Sequence, residues 1–206
     1  MTPPVVQPIS GCMTAEPIQQ PLPDLSGLDL AAIARLVAER KLPPVEQWNP
    51  AHCGDSDMRI AADGTWFHMG SPIGRPAMVK LFSTVLRREP DGSHVLVTPV
   101  EKLSIEVEDA PFIAVEAVSE GEGRDRRIAL RLNTDELVVI DPDHPLRIET
   151  AADGAPRPYV AVRGGLEARI NRAVFYQLAD LALAEQERNG GAPGLWSGGA
   201  WFAFAD

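Results

Sequence analysis

Gly54-Asp55-Ser56-Asp57-Met58-Arg59 places two carboxylates and a guanidinium in one short, glycine-led segment. A guanidinium presents a planar fork of N–H donors that matches phosphate or carboxylate. Arg59 therefore has two readings. It grips an anionic group of a ligand, or it pairs with Asp55 or Asp57 and staples its own loop. Gly70-Ser71-Pro72-Ile73-Gly74-Arg75 is a second candidate, because it leads into a helix start. Free N–H groups and the helix dipole favour anions there, and Arg75 adds charge. Its glycines do not follow the P-loop pattern, and a strand-to-helix turn built from small residues is the simpler account. Thr98-Pro99-Val100-Glu101-Lys102 is a third. Thr98 and Lys102 can hydrogen-bond a ligand and Glu101 can read a hydroxyl or amine, unless this is only a solvated strand connection. Trp48 and Trp66 can stack on a flat ring or pack in the core.

Metal-ligating types also occur here. His52 and Cys53 are adjacent, and His68 follows in the next predicted strand. Adjacent strand residues point apart, and no Cys-x-x-Cys or His-x-x-x-His pattern supports them, so no metal is expected. His68 is kept as a ligand contact. Cys53 has no histidine assigned to it by spacing, so no catalytic residue is assigned. Oxidation sensing at Cys53 would require Arg59 to stabilise its thiolate.

The elements that must position these residues read as one unit written twice. Arg59-Ile60, Ala61-Ala62-Asp63-Gly64, Trp66–Met69 and Ile73 through Leu86 match Arg147-Ile148, Ala151-Ala152-Asp153-Gly154, Tyr159–Val162 and Ile170 through Leu183. Arg75 falls on Arg172 and Arg59 on Arg147. A strand, turn, strand and helix recur in that order, and the seam between two similar halves is a natural ligand cleft. His52 to Gly64 is turn-rich. Pro76 suits a first helical position, and Met78, Val79, Leu81, Phe82, Val85 and Leu86 mark a buried helix face running up to Glu89-Pro90. Strands are predicted at Val95–Val97, Leu103–Val107 and Phe112–Val118. Ile128–Ile140 is a hairpin turning at Asn133-Thr134-Asp135, with further strands near Leu146 and Tyr159. Asn171 caps a last helix to about Arg188, its inner face being Val174, Phe175, Leu178, Leu181 and Ala182.

Residues 1–24 read as an extended Pro-rich arm. Ser26-Gly27-Leu28-Asp29 caps a helix that runs to about Lys41. The predicted division is arm 1–24, N-terminal domain 25–119, C-terminal domain 120–190 and a Gly/aromatic tail 191–206. The chain has 206 residues and a formal net charge of −10. That charge repels phosphate backbones, so no nucleic acid is expected, though a local basic pocket is still possible. The only cysteines are Cys12 and Cys53, and the N-terminus shows neither a secretory pattern nor a span-length apolar run. A cytoplasmic setting is predicted.

Two sets of residues carry a resemblance. The first is Trp48-Asn49-Pro50, Cys53 through Ile60, Asp63 through His68, Pro72-Ile73, Arg75, Met78 through Ser83 and Val85 through Glu89. The second is Leu96 through Lys102 with Glu108 through Phe112. Together they resemble the bacterial domain-of-unknown-function family 1285, over roughly residues 25–190. The resemblance implies an α/β (α+β) fold of two related sheet-and-helix domains. Its C-terminal half is superficially pleckstrin-homology-like. It also implies a nucleotide-based ligand at the domain interface and a role in signal transduction, without an assigned enzymatic activity.

The resulting expectation is a ligand-binding or regulatory protein whose site lies between the domains, lined by residues 52–75 and 98–109. Two alternatives stay open. One is an enzyme acting on a small nucleotide or phosphorylated metabolite, with Asp55 or Glu101 as general base. The other is a scaffold that binds a protein partner through the pleckstrin-like half and the tail bearing Trp196 and Trp201.

Overall fold

A computed structural model describes residues 42–204, and the predicted arm over 1–24 and helix ending near Lys41 lie outside them. The described chain builds two mixed six-stranded sheets and a small ribbon. The first sheet contains β1 (His52–Ile60), β2 (Trp66–His68), β3 (Ser71–Pro72), β4 (Leu86–Arg88), β5 (His94–Val97) and β6 (Glu101–Val107), in the order β3-β2-β1-β6-β5-β4. The second contains β7 (Phe112–Glu120), β8 (Arg127–Leu132), β9 (Leu137–Val139), β10 (Leu146–Thr150), β11 (Pro156–Arg163) and β12 (Leu166–Ile170), in the order β9-β8-β7-β12-β11-β10. The two orders are the same. In each sheet two antiparallel meanders join through one parallel pair, β1 with β6 and β7 with β12.

The duplication therefore holds for whole sheets. The residue match read from sequence follows a different register. Arg59 lies on inner strand β1, whereas Arg147 lies on β10 at the sheet edge. The helices are also placed differently. Helix α1 (Pro76–Thr84) sits between β3 and β4, and helix α2 (Arg172–Asn189) follows β12.

Several boundaries differ from expectation for identifiable reasons. The segment His52–Ile60 forms a strand rather than a turn-rich loop, because its backbone pairs with β6 although only Met58 and Ile60 are buried. Helix α1 stops at Thr84, and Leu86–Arg88 pairs with Leu96–His94 instead of continuing the helix. Val79, Phe82 and Val85 pack inward, but Met78 and Leu81 are exposed. The predicted boundary at 119/120 falls inside β7, which pairs with β8 and β12, so the seam between sheets lies at Glu108–Pro111. Residues 191–204 are part of the second domain. The ribbon of β13 (Gly194–Ser197) and β14 (Ala200–Ala203) buries Leu195 and Phe202, and Ser197 Oγ donates to Ile140 O.

Helix α2 forms as predicted. Asn171 Oδ1 accepts from Val174 N at 2.8 Å, and Val174, Leu178 and Ala182 are buried. The core runs through both sheets, from Ile60, Trp66 and Leu86 to Phe112, Leu130, Val160 and Leu178. No helix among the described residues is long and apolar enough to cross a membrane.

Candidate functional site

The two sheets meet where turns from each side interlock. The Ala61–Gly64 turn of the first domain packs on Ile113 of β7 and on Asn133 in the β8–β9 turn. Asn133 fits this place because its side chain both donates and accepts. Its Oδ1 accepts from Ile113 N at 3.1 Å, and its Nδ2 donates to Gly64 O at 3.4 Å.

Asp135 follows in the same turn, in the left-handed conformation with φ 61°. Its carboxylate is held from both domains. Lys80 of α1 ion-pairs with Oδ2, and Arg131 of β8 approaches Oδ1 at 3.3 Å. Arg131 also donates to Glu116 at 2.7 Å. Burial disfavours the Arg131 cation, but Glu116 and Asp135 more than offset this and hold it charged.

Arg163 makes the next crossing. It donates to Ser83 O at the end of α1 at 2.8 Å, approaches Glu136 at 3.4 Å, and lies over the Phe112 ring. Arg88 of β4 donates to Gly165 O at 3.2 Å. At the connector, Asp109 accepts from Tyr159 Oη at 2.7 Å and from Arg169 at 3.0 Å. Burial and the adjacent Asp109 carboxylate push the Tyr159 hydroxyl up to about 12, so it donates throughout the physiological range. Lys80, Arg88, Arg131, Arg163 and Arg169 thus gather at one seam of a chain whose net charge is −10.

The structure separates the residues singled out from sequence. Asp55, Asp57 and Arg59 lie on β1 around its bulge, and His68 lies on the neighbouring strand β2. The β1–β6 register shifts between Asp55 and Arg59, Asp57 sits at φ 53°, and its N–H is capped by Asp55 Oδ1 at 2.8 Å. Arg59 pairs with Glu108, not with Asp55 or Asp57, and lies 4.4 Å over the Phe67 ring. His68 is exposed opposite Met58.

Glu101 and Lys102 open β6, which pairs with the first residues of β1, and Thr98 lies in the turn before it. Strand β6 carries the chain from Lys102 to Val107, roughly 17 Å at the usual rise, before Glu108 leads to Asp109. The side-chain bonds of Thr98 and Lys102 stay within the first domain. Thr98 Oγ1 accepts from Glu101 N at 3.2 Å and closes a turn, and Lys102 lies 3.4 Å from Glu89. Burial raises the Glu89 pKa, but Arg87 and Lys102 outweigh it and hold Glu89 below the usual carboxylate range. Trp48 contributes its carbonyl to the same cluster, accepting from Arg87 at 2.7 Å. Trp66 is buried in the core and stacked on Phe82. Arg75 is exposed at the N-cap of α1.

Sequence reading thus recognised the Asn133-Thr134-Asp135 turn but not its seam partners. Lys80, Arg131 and Arg163 look like ordinary surface cations in sequence, and only the sheet pairing brings them together. Among the described residues no cluster of His, Cys, Asp and Glu is arranged to hold a metal.

The chain is similar to known proteins along its described length. Residues 43–110 match the model for the N-terminal domain of the domain-of-unknown-function family DUF1285, and residues 111–204 match its C-terminal domain. The junction of the two matches falls in the seam connector. The crystal structure of a DUF1285 family protein from Silicibacter pomeroyi DSS-3 is 47% identical, with TM-score 0.73, covering 85% of this chain and 93% of the other. A second, from Shewanella baltica OS155, is 24% identical with TM-score 0.49, covering 60% of this chain and 90% of the other. No curated protein matches the chain. With both domain models and a relative at 47% identity in agreement, the chain belongs to the DUF1285 family.

Proposed function

We propose that this chain is a cytoplasmic binding protein that takes a small anionic ligand of the nucleotide class at the seam between its sheets and relays its occupancy as a signal. One observation carries the reading: Lys80 of the first domain and Arg131 of the second converge on the single carboxylate of Asp135. Two cations from separate domains around one anion form an arrangement that a ligand phosphate can enter in place of the carboxylate. Asp135 sits in a short turn, so displacing it would move the β8–β9 hairpin against α1. That movement would couple occupancy to the arrangement of the two domains.

The test is a thermal-shift screen against nucleotides, cyclic nucleotides and nucleotide cofactors. A ligand at a hundred times its Kd stabilises by about 2.7 kcal/mol, a shift of several degrees. Lys80→Ala and Arg131→Ala should abolish the shift, and Lys102→Ala should leave it intact. Asp135→Asn removes the competing charge and should enlarge the shift. If neither the wild type nor Asp135→Asn responds to any nucleotide, the reading is wrong.

A further inference from the structure

The four edges of the two sheets are not guarded alike. In the first sheet β3 has two residues, one of them Pro72, and β4 has three, with Arg87 donating to Val45 O and Trp48 O beside it. In the second sheet β9 has three residues, and Ser197 of the ribbon bonds the Ile140 carbonyl that follows it. The remaining edge, β10, runs for five residues, and no strand among the described residues pairs with its outer side. Short strands, prolines and covering segments keep an edge from pairing, and β10 itself has none of these. It carries charges instead, Arg147 and Glu149, which repel an arbitrary strand but select one of complementary sign.

The prolines of β11 reveal which backbone groups of β10 point outward. Ile148 faces Pro158 and Thr150 faces Pro156. Proline has no N–H, so these are the pairs that exchange no hydrogen bonds. Ala161 N donates to Pro145 O at 3.1 Å, which puts residues 145, 147 and 149 in the bonded set. The N–H and C=O groups of Leu146, Ile148 and Thr150 therefore turn to the open edge. Ile148 is half-buried and Thr150 is exposed. Arg147 and Glu149 stand on one face of the strand, and the Glu149 side chain is 57% exposed.

We propose that this edge pairs with β10 of a second copy of the chain, antiparallel, about a two-fold axis at Ile148. Ile148 then exchanges both of its bonds with its own copy, and Leu146 does so with Thr150 of the second copy through backbone alone. Arg147 comes opposite Glu149 of the second copy, and the reverse, in the close pairs that share no backbone bond. An axis at Arg147 or at Glu149 would oppose like charges, so charge fixes the register. The contact is five residues long on each side, which makes the dimer a weak one, with Kd on the order of 100 µM. It is independent of the seam.

The experiment is sedimentation equilibrium of the full chain from about 10 µM to about 1 mM, with residue-resolved hydrogen exchange at both ends of that range. The mass should rise from monomer towards dimer. Exchange at the Ile148 and Thr150 amides should slow with concentration, while the Arg147 and Glu149 amides, bonded to β11, stay protected throughout. Ile148→Pro removes an outward N–H that the β10–β11 ladder does not use, and should leave a folded monomer. Glu149→Lys, at an exposed position, should weaken the dimer about tenfold and decides the matter if the proline variant does not fold. A monomer at every concentration would overturn the proposal. So would a dimer that neither substitution weakens, or Ile148 and Thr150 amides protected equally at every concentration, since the chain's own residues would then cover the edge.

Discussion

Gly64 lies so close to Ile113 across the seam that a Cβ at position 64 would stand 2.7 Å from Ile113 Cγ1 and 2.8 Å from Asn133 Nδ2. Its φ is 83°, in the region where side chains are strained. Gly154 closes the matching turn of the second domain with φ 80°, and a Cβ there would meet nothing within 4 Å. The pair separates backbone strain from steric approach. Gly154→Ala should cost only the left-handed conformation, about 1 kcal/mol. Gly64→Ala adds a clash with a core side chain and should cost about 3 kcal/mol, read by urea unfolding of both variants. Equal losses would show that the seam is looser than this contact implies.

Arg163 should be the most costly single seam cation to remove. Its truncation leaves Ser83 O without this donor and takes a cation from Glu136, whose side chain is 8% exposed. We expect Arg163→Met to cost about 2–4 kcal/mol, because a carboxylate left behind in a desolvated site is expensive. Adding Glu136→Gln to Arg163→Met should recover part of that loss in a double-mutant cycle. A coupling indistinguishable from zero would remove the ion pair from the account.

These tests also show what the chain makes legible and what it conceals. The hairpins β1–β2 and β10–β11 were visible as a repeated string, and they are the same local structure. Each Ala-Ala-Asp-Gly turn closes with the same backbone bonds, Gly64 N to Ala61 O and Gly154 N to Ala151 O. Each arginine covers its cross-strand aromatic partner at 4.4 Å, Arg59 on Phe67 and Arg147 on Tyr159. Local chemistry repeats because it depends only on neighbours in sequence. Position in the sheet does not, because β1 becomes an inner strand through a parallel pairing with β6 about fifty residues later. Strand β12 carries a clean alternation that the sequence does show, Leu166, Ala168 and Ile170 inward with Glu167 and Arg169 outward. The seam was the hardest part to read. A lysine on α1 and an aspartate in a turn 55 residues later leave no joint signature in sequence.

Stability should depend on pH through His94. This side chain pairs with Ile105 across β5–β6, and burial together with the nearby Arg88 cation lowers its pKa below the ordinary 6.5. The unfolded chain then binds the proton more readily than the folded one. The contribution is complete above about pH 6.5 and is lost as pH falls from that value through the folded pKa. Tm should therefore drop between pH 7 and pH 5, and His94→Gln should flatten that slope. A variant that keeps the full wild-type slope would assign the effect to another group.

The buried pair of Arg126 and Glu185 gives the sharpest contrast between removing one charge and removing both. Their side chains are 5% and 1% exposed, and they stand 3.1 Å apart beneath α2. Arg126 Nε is buried without a hydrogen-bond partner, so the cation is incompletely satisfied even in the intact protein. Desolvation then takes back much of what the ion pair contributes. Arg126→Met alone leaves Glu185 with only Asn189 and a distant Arg188, and should cost about 3–5 kcal/mol. Arg126→Met with Glu185→Leu replaces the pair by apolar volume and should return to within about 1 kcal/mol of the wild type. Denaturant midpoints of the three proteins measure both steps. If the double variant stays as unstable as the single one, the pair contributes net stability and is not merely an expensive arrangement that must be kept whole.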